Sequence, residues 1–201
     1  ATTPHVVEKE GEKYFPLFEA AAFAKKLVAI GETGLDYHYE HSHRELQQLF
    51  LRRYMKLALS CNLPLIFHCR DAFEDVFAIA DSDYRIGNGW GPAVLHCFTG
   101  TMLEAEAVIK RGWYISFSGI ITFKKSQALR DVAKEMPIHQ ILIETDAPYL
   151  APESKRGKRN EPGFIRETAE MIALVKGMSV EEVAKATSEN SCRLFGLNSS
   201  L

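Results

Sequence analysis

Short apolar runs that stop at polar or ionisable residues recur along this chain, and amphipathic stretches separate them. A mainly apolar run of three to five residues is typical of a short parallel strand that is covered on both faces. Five such strands are predicted, at Leu27–Ile30, Leu63–Phe67, Ala93–Leu95, Trp113–Phe117 and Ile141–Ile143.

The amphipathic stretches have apolar residues at helical spacing, and each is bounded by residues that start or stop helices. Ser179 and Glu182, three residues apart, predict a capping box at the last of them. Because strands and helices alternate, an α/β fold with a parallel sheet built from right-handed crossovers is predicted. The helices are predicted at about 42–62, 71–82, 101–112, 126–137, 164–177 and 179–196.

Ionisable side chains follow four of the predicted strands, namely Glu32, His68, His96 and Asp146. The carboxyl ends of parallel strands meet at one edge of a sheet, where active sites of α/β proteins gather. Burying these groups together without partners would be costly, so a shared Zn, Mn or Mg ion is favoured. With Glu32 as a bridge, two ions can lie together, and Asp146 can also accept a proton from the attacking water. The alternatives are an ordinary turn carboxylate and hydrogen-bonded structural histidines.

Basic residues near the same strand ends favour an anionic substrate, because guanidinium groups match the oxygens of a phosphate. Arg70 directly follows the His68-Cys69 pair, and Lys155, Arg156, Lys158 and Arg159 are concentrated in the loop 152–163 after Asp146. The alternatives are a salt bridge from Arg70 to Asp71 or Glu74, and a solvated charged turn.

Composition indicates a soluble globular protein that forms one domain over residues 1–201. The chain is 46% hydrophobic and 25% charged, and its net charge of -2 requires any nucleic-acid contact to come from a local basic patch. There is neither a membrane-spanning apolar run nor a basic-then-apolar leader. The four cysteines lack CxxC spacing, so reduced thiols and a cytoplasmic location are expected.

Six ordered segments of the chain form a recognisable set, namely IGETGLDY, LPLIFHCR, LHCFTG, ETDAPYLAP, RGKRNEP and TSENSCRLFGL. They resemble the signature blocks of the TatD family of metal-dependent deoxyribonucleases, which have an amidohydrolase-like (β/α) barrel. The resemblance implies that Glu32 bridges two divalent ions, that His68 and His96 complete the second ion's position, and that Asp146 binds the first ion and is a candidate general base.

The resemblance also implies hydrolysis of phosphodiester bonds in DNA with Mg, Mn or Zn. We expect the phosphodiester to be bound by Arg70, Arg156, Arg159 and Asn160. Two other hypotheses stay open: a metal-dependent amide or ester hydrolase acting on small molecules, and a catalytically silent binding or assembly subunit.

One departure from the family pattern concerns the start of the chain. The family opens with a strand that carries a His-x-His ligand pair, whereas here Pro4-His5 resembles only the tail of a later His-Pro-His block. About five of eight barrel strands are therefore predicted, which leaves open sheet edges. We expect the missing strands in an N-terminal segment outside this sequence or in a second chain. His41 and His43 form a His-x-His in a polar stretch and are not expected to replace the missing pair.

Overall fold

The computed structural model describes residues 1–198 of the chain. They form two compact units, of which the first comprises Ala1–His96 with Leu194–Gly196 and the second consists mainly of Cys97–Arg193. Each unit has its own parallel strands and its own packed helices. The organisation of residues 1–201 as a single domain stays a prediction.

Three parallel strands form the centre of the first unit, in the order β1-β2-β5. Helix α2 packs on β1, α1 packs on α2, and α3 packs on both α2 and β2, while β3 and β4 form a short antiparallel hairpin. The elements are α1 (Val7–Phe23), β1 (Ile30–Asp36), α2 (Arg44–Cys61), β2 (Leu65–Arg70), α3 (Phe73–Asp83), β3 (Arg85–Ile86), β4 (Gly89–Trp90) and β5 (Ala93–Leu95).

The core of the first unit lies between the strands and the apolar face of α2. Leu51, Tyr54, Met55 and Ala58 are fully buried and follow the three- and four-residue spacing of one helix face. The helix ends where Asn62 adopts a left-handed conformation, with φ 54° and ψ 45°. Asparagine tolerates this conformation, so the end predicted for this helix, at about residue 62, is confirmed.

The second unit contains two parallel strands, β6 and β7, and helices pack around them. Its helix starts show the expected chemistry: the backbone N–H of Ser179 donates to Glu182, and the N–H of Glu182 donates to the Ser179 hydroxyl. This confirms the predicted capping box. The elements are α4 (Met102–Lys110), β6 (Tyr114–Phe117), α5 (Gln127–Glu135), β7 (Ile141–Ile143), α6 (Ile165–Lys176) and α7 (Val180–Phe195).

Two predicted strands are shifted toward the N-terminus relative to the observed ones. The strand predicted at Leu27–Ile30 is β1, Ile30–Asp36, and the strand predicted at Leu63–Phe67 is β2, Leu65–Arg70. Val28 is 54% exposed, so apolar character alone misplaced the first strand. Because of the shift, Glu32 and His68 lie inside strands instead of following them.

Helix α1 has no counterpart among the predicted elements. It contains Gly11 and Pro16, both poor helix formers, which masks its signal in the sequence. Tertiary packing explains why the helix forms: Val7, Gly11, Phe15 and Ala22 are buried at helical spacing. Gly11 lies directly against the Phe50 ring, where a Cβ atom would come within 2.5 Å of a ring carbon.

None of the helices within residues 1–198 is both long enough and apolar enough to cross a membrane.

Candidate metal centre

Two groups of potential metal ligands lie in the first unit, and they share His68. In one, the Glu32 carboxylate oxygen Oε1 lies 2.8 Å from His68 Nδ1 and 2.7 Å from His96 Nε2. In the other, Asp36 Oδ2 lies 3.0 Å from His5 Nε2 and 3.0 Å from His68 Nε2. The structure therefore brings together three of the predicted ligands and adds His5 and Asp36.

Glu32 occupies an irregularity in the pairing of β1 with β2. Gly31 lies opposite Ile66 and Thr33 lies opposite Phe67, so Glu32 is the extra residue between two consecutive pairs. A β-bulge of this kind re-aims one side chain and is frequent beside functional sites. The bulge explains how a buried strand can present a carboxylate to two histidines.

Gly34 allows the backbones of β1 and β2 to approach each other at His68. A Cβ atom at position 34 would lie 1.8 Å from the His68 carbonyl oxygen. Gly31 is similarly close to β2, because its Cβ atom would lie 2.5 Å from the Ile66 Cβ. Both contacts involve atoms next to the β2 backbone, which a change of rotamer cannot move. The two glycines that bracket Glu32 therefore serve strand packing.

Gln47 of α2 holds the backbone of Asp36 from both sides. The Asp36 N–H donates to Gln47 Oε1 at 2.8 Å, and Gln47 Nε2 donates to the carbonyl oxygens of Asp36 at 3.1 Å and Ser42 at 2.8 Å. The second carboxylate oxygen of Asp36 accepts the backbone N–H groups of His38 at 3.0 Å and Tyr39 at 2.8 Å. Asp36 thus joins the ligand group to the loop after β1.

Hydrogen bonds keep both carboxylates ionised. Burial opposes ionisation of Glu32, but the bonds to His68 and His96 outweigh it and hold the Glu32 pKa well below its ordinary value. Burial also opposes ionisation of Asp36, whereas hydrogen bonds from the Tyr39 N–H, His68 and His5 lower its pKa. The centre therefore carries two negative charges with imidazole groups between them.

The position of His68 between the two carboxylates points to a further positive charge. A neutral imidazole has one N–H, so it can donate to only one carboxylate at a time. The second nitrogen then needs either a proton or a cation between it and the facing oxygen. Imidazole and carboxylate are the donors that Zn and Mn prefer. Ligand atoms around one tetrahedral Zn²⁺ are about 3.4 Å apart, so a small expansion of these contacts fits an ion.

Arg70 lies against Tyr39 instead of a carboxylate. Its guanidinium carbon is 4.8 Å from the centre of the Tyr39 ring, and its Nη1 donates to the Tyr39 hydroxyl at 3.3 Å. The neighbouring Asp71 instead contacts His38 Nδ1 at 3.1 Å. Among residues 1–198, Arg70 has no salt-bridge partner, which leaves guanidinium donors for an anion. Its contact with substrate stays a prediction.

The other predicted ligand, Asp146, lies in the second unit. It is half-buried after the end of β7, and its backbone carbonyl accepts the N–H of Tyr149 at 2.7 Å. This position after a parallel strand agrees with the predicted strand end. Its roles as metal ligand and general base stay predictions.

The remaining predicted substrate residues lie in the loop after Asp146. Asn160 is buried, and its amide donates to the Tyr149 carbonyl at 2.6 Å and accepts the Glu161 N–H at 2.9 Å. The structure therefore gives Asn160 a positioning role in this loop. Arg156 is exposed with its guanidinium 4.0 Å from the centre of the Phe123 ring, and Arg159 is exposed. Substrate contacts by these residues stay predictions.

Sequence reasoning missed three residues of the centre, namely His5, Asp36 and Gln47. Extending the first strand to Asp36 would have placed that carboxylate at a strand end. Pro4-His5 was the only signal for His5. His43, in contrast, contacts Glu8 at 3.8 Å, and neither His41 nor His43 belongs to a ligand group within the described range.

Comparison with known proteins identifies the family of this chain. The sequence model of a family described as TatD related DNase matches residues 1–196. The chain belongs to the TatD family. YabD of Bacillus subtilis, called an uncharacterized metal-dependent hydrolase, is 45% identical to this TatD-family chain over 174 residues, which are 87% of the chain and 67% of YabD.

Two further TatD-family relatives differ in how they are named. YcfH of Escherichia coli K12, also called an uncharacterized metal-dependent hydrolase, is 43% identical over 87% of the chain and 64% of its own length. A protein of Erwinia tasmaniensis called 3'-5' ssDNA/RNA exonuclease TatD is 36% identical over 96% of the chain and 75% of its own length. The chain thus spans about two thirds to three quarters of these relatives.

Solved structures confirm the predicted fold class. The TatD homologue YjjV of Escherichia coli K12 matches 98% of the chain with a TM-score of 0.89 and 27% identity, and 76% of YjjV is covered. A TatD family hydrolase of Entamoeba histolytica matches 98% of the chain with a TM-score of 0.82 and 28% identity, over 73% of that protein. The chain has the α/β fold of TatD-type barrels and covers part of their length.

Proposed function

We propose that this chain is the metal-binding portion of a hydrolase that cleaves phosphodiester bonds in nucleic acid, DNA above all. The observation that supports the proposal is the position of His68, whose two nitrogens face two ionised carboxylates. Family membership supports metal-dependent hydrolysis. The choice of a phosphodiester draws on Arg70, which has no salt-bridge partner in the described part of the chain, and on the name of the Erwinia relative, a single-stranded DNA and RNA exonuclease.

The proposal assigns metal binding and phosphate binding to different residues. Glu32, His68 and His96 would hold one divalent ion, and the complete protein would hold two, with Asp146 as a ligand of the other. Bound there, Mg²⁺, Mn²⁺ or Zn²⁺ supplies Lewis acidity that polarises a phosphoryl oxygen and makes water a better nucleophile. Arg70 binds the phosphate oxygens.

Proton transfer is assigned to Asp146. An ionised carboxylate within hydrogen-bond reach of the attacking water accepts its proton and raises its nucleophilicity. This role follows from the family resemblance and from the position of Asp146 after β7. Asp36 has a different task, because its oxygens are already engaged by His5, His68 and the loop backbone: it orients the His68 ring.

The proposal is tested with Glu32→Gln, which keeps the size of the side chain and removes its charge. The assay measures bound metal and the cleavage of a labelled single-stranded oligodeoxynucleotide with Mg²⁺, Mn²⁺ or Zn²⁺ added. Loss of an outer partner of a metal ligand costs about 10- to 100-fold, so loss of the ligand itself should reduce cleavage by at least about 100-fold. Glu45→Gln, at an exposed glutamate in the first turn of α2, is the matched control.

Other results would replace the proposal. Unchanged cleavage and metal content in Glu32→Gln would contradict it. Turnover of neutral esters or amides, with no cleavage of the oligonucleotide, would favour the small-molecule hydrolase. No bound metal, together with no cleavage by a longer chain that includes the first-strand His-x-His, would favour the silent binding subunit.

A further inference from the structure

An exposed cluster of rings lies in the loop that follows β1. The Tyr39 and His41 rings are stacked, with their centres 5.5 Å apart and an angle of 1° between their planes. The His38 ring meets Tyr39 edge-on, at 4.8 Å between centres. Tyr39 is 51% exposed and His41 is exposed, so neither ring is part of a core. We call Tyr39 and His41 the stacked pair.

The stacked pair lies next to His5, a residue of the candidate metal centre. The centre of the His5 ring lies 6.0 Å from that of Tyr39 and 5.8 Å from that of His41. The His5 ring also lies 5.1 Å from that of His68. The backbone N–H of Tyr39 donates to Asp36 at 2.8 Å, which fixes the loop to the same centre.

The Arg70 guanidinium, which has no carboxylate partner among residues 1–198, lies against the stacked pair. The Arg70 guanidinium packs on the Tyr39 ring and bonds to its hydroxyl, as described above. About half of the Tyr39 surface stays accessible although Arg70 and His41 both lie against this ring. The exposed rings of the loop and the guanidinium donors of Arg70, at the end of β2, therefore lie together beside residues that can bind metal.

We propose that the stacked pair binds a nucleobase of a single-stranded nucleic acid, while Arg70 holds the adjoining phosphate. The proposal rests on the proposed function and names the form of the substrate. Bases stack on aromatic side chains without regard to sequence, because every base has a π-face. A paired base in a duplex is already stacked and cannot extend the ring stack of Tyr39 and His41. The site therefore favours single strands over duplexes.

Binding is measured in the Glu32→Gln background, so that cleavage does not consume the probe. The probes are a fluorescein-labelled single strand of deoxythymidines and an abasic sugar–phosphate strand of the same length, each with Mg²⁺ present. We expect the thymidine strand to bind more tightly than the abasic strand. Tyr39→Leu should weaken binding of the thymidine strand by about 5- to 150-fold, which corresponds to the loss of one stacked base. The abasic strand should bind almost as before.

Two variants separate stacking from other effects. Tyr39→Phe keeps the ring and removes the hydroxyl that bonds to Arg70, so it should retain the preference for the strand with bases. Phe23→Leu removes an exposed aromatic ring outside the cluster, at the last residue of α1, and should change neither affinity. Because Tyr39 is exposed, thermal unfolding of Tyr39→Leu should match that of its parent.

The proposal is overturned if Tyr39→Leu weakens both strands equally, or weakens neither, or if the abasic strand binds as tightly as the thymidine strand. These results differ from a failure of the proposed function, which is judged by cleavage in the chain that retains Glu32. Cleavage without base-dependent binding would reject the stacking site alone. Base-dependent binding without cleavage would support the stacking site and reject the nuclease.

Discussion

Replacing Gln47 with leucine tests whether α2 positions the candidate metal centre. The change keeps a buried side chain of similar size but removes three hydrogen bonds to backbone groups. The buried N–H of Asp36 loses its partner, which costs about 1–3 kcal/mol, and two carbonyl oxygens lose a bond worth about 0.5–1.5 kcal/mol each. Burial of the added apolar surface stabilises the variant by about 1 kcal/mol. The free energy of unfolding is therefore expected to fall by about 3 kcal/mol.

The free energy of unfolding is measured by urea denaturation of the two chains. Gln127→Leu is the control, because Gln127 also bonds through its amide, to Asp131 and Arg130, but at an exposed position on α5. We expect the control to lose less than about 0.5 kcal/mol. A Gln47→Leu loss no larger than that of the control would refute the reasoning.

The same variant has a functional consequence. Gln47 holds Asp36, and Asp36 orients His68, so Gln47→Leu should weaken Zn²⁺ binding by about 10- to 100-fold, the usual effect of losing an outer partner of a ligand. The affinity is measured by competition with a chromogenic chelator. Unchanged affinity, together with the stability loss, would show that Gln47 supports the fold but not the centre.

Two further predictions concern stability. Gly34→Ala should destabilise the chain by more than about 3 kcal/mol, because the new Cβ atom meets the His68 carbonyl at 1.8 Å. Gly163→Ala is the control, because a Cβ atom there would have no neighbour within 4 Å, and it should change stability by less than about 0.5 kcal/mol. Equal effects of the two variants on urea denaturation would contradict the close approach of β1 to β2 at Gly34. Lys176→Met should lower the free energy of unfolding by about 1–3 kcal/mol, because the ammonium donates to three carbonyl oxygens at the end of α5. The control is Lys185→Met, at an exposed lysine, and equal thermal unfolding of the two variants would refute this prediction.

The strands whose bounds were predicted correctly are almost completely buried. Ala93–Leu95 and Ile141–Ile143 match β5 and β7, in which only Ile143 is partly exposed, because a short, covered strand is apolar throughout. β1 was misplaced because Gly31 and Gly34 resemble turn residues in isolation. In the fold both lie in β1 with positive φ, 158° and 151°, and only glycine lets β1 lie so close to β2.

Some residues of the candidate site could be predicted from the sequence and others could not. Glu32, His68 and His96 could be predicted, because each lies at or near the end of an apolar run and these ends meet in a parallel sheet. His5 could not be assigned a role, since it precedes a helix that the sequence concealed. Asp36 looked like a turn residue, and its contact with His5 spans 31 positions of the chain.

The sequence by itself determined the family and the order of the buried strands along the chain. It also predicted the group of Glu32, His68 and His96, three of the four proposed ligands, because residue type and apolar spacing are properties of short segments. Only the tertiary structure decided that His68 faces two carboxylates and that Tyr39 and His41 lie beside them. Those relations depend on how two strand backbones approach each other and on a bulge that re-aims Glu32. Such contacts join segments far apart in the chain, so no local pattern carries them.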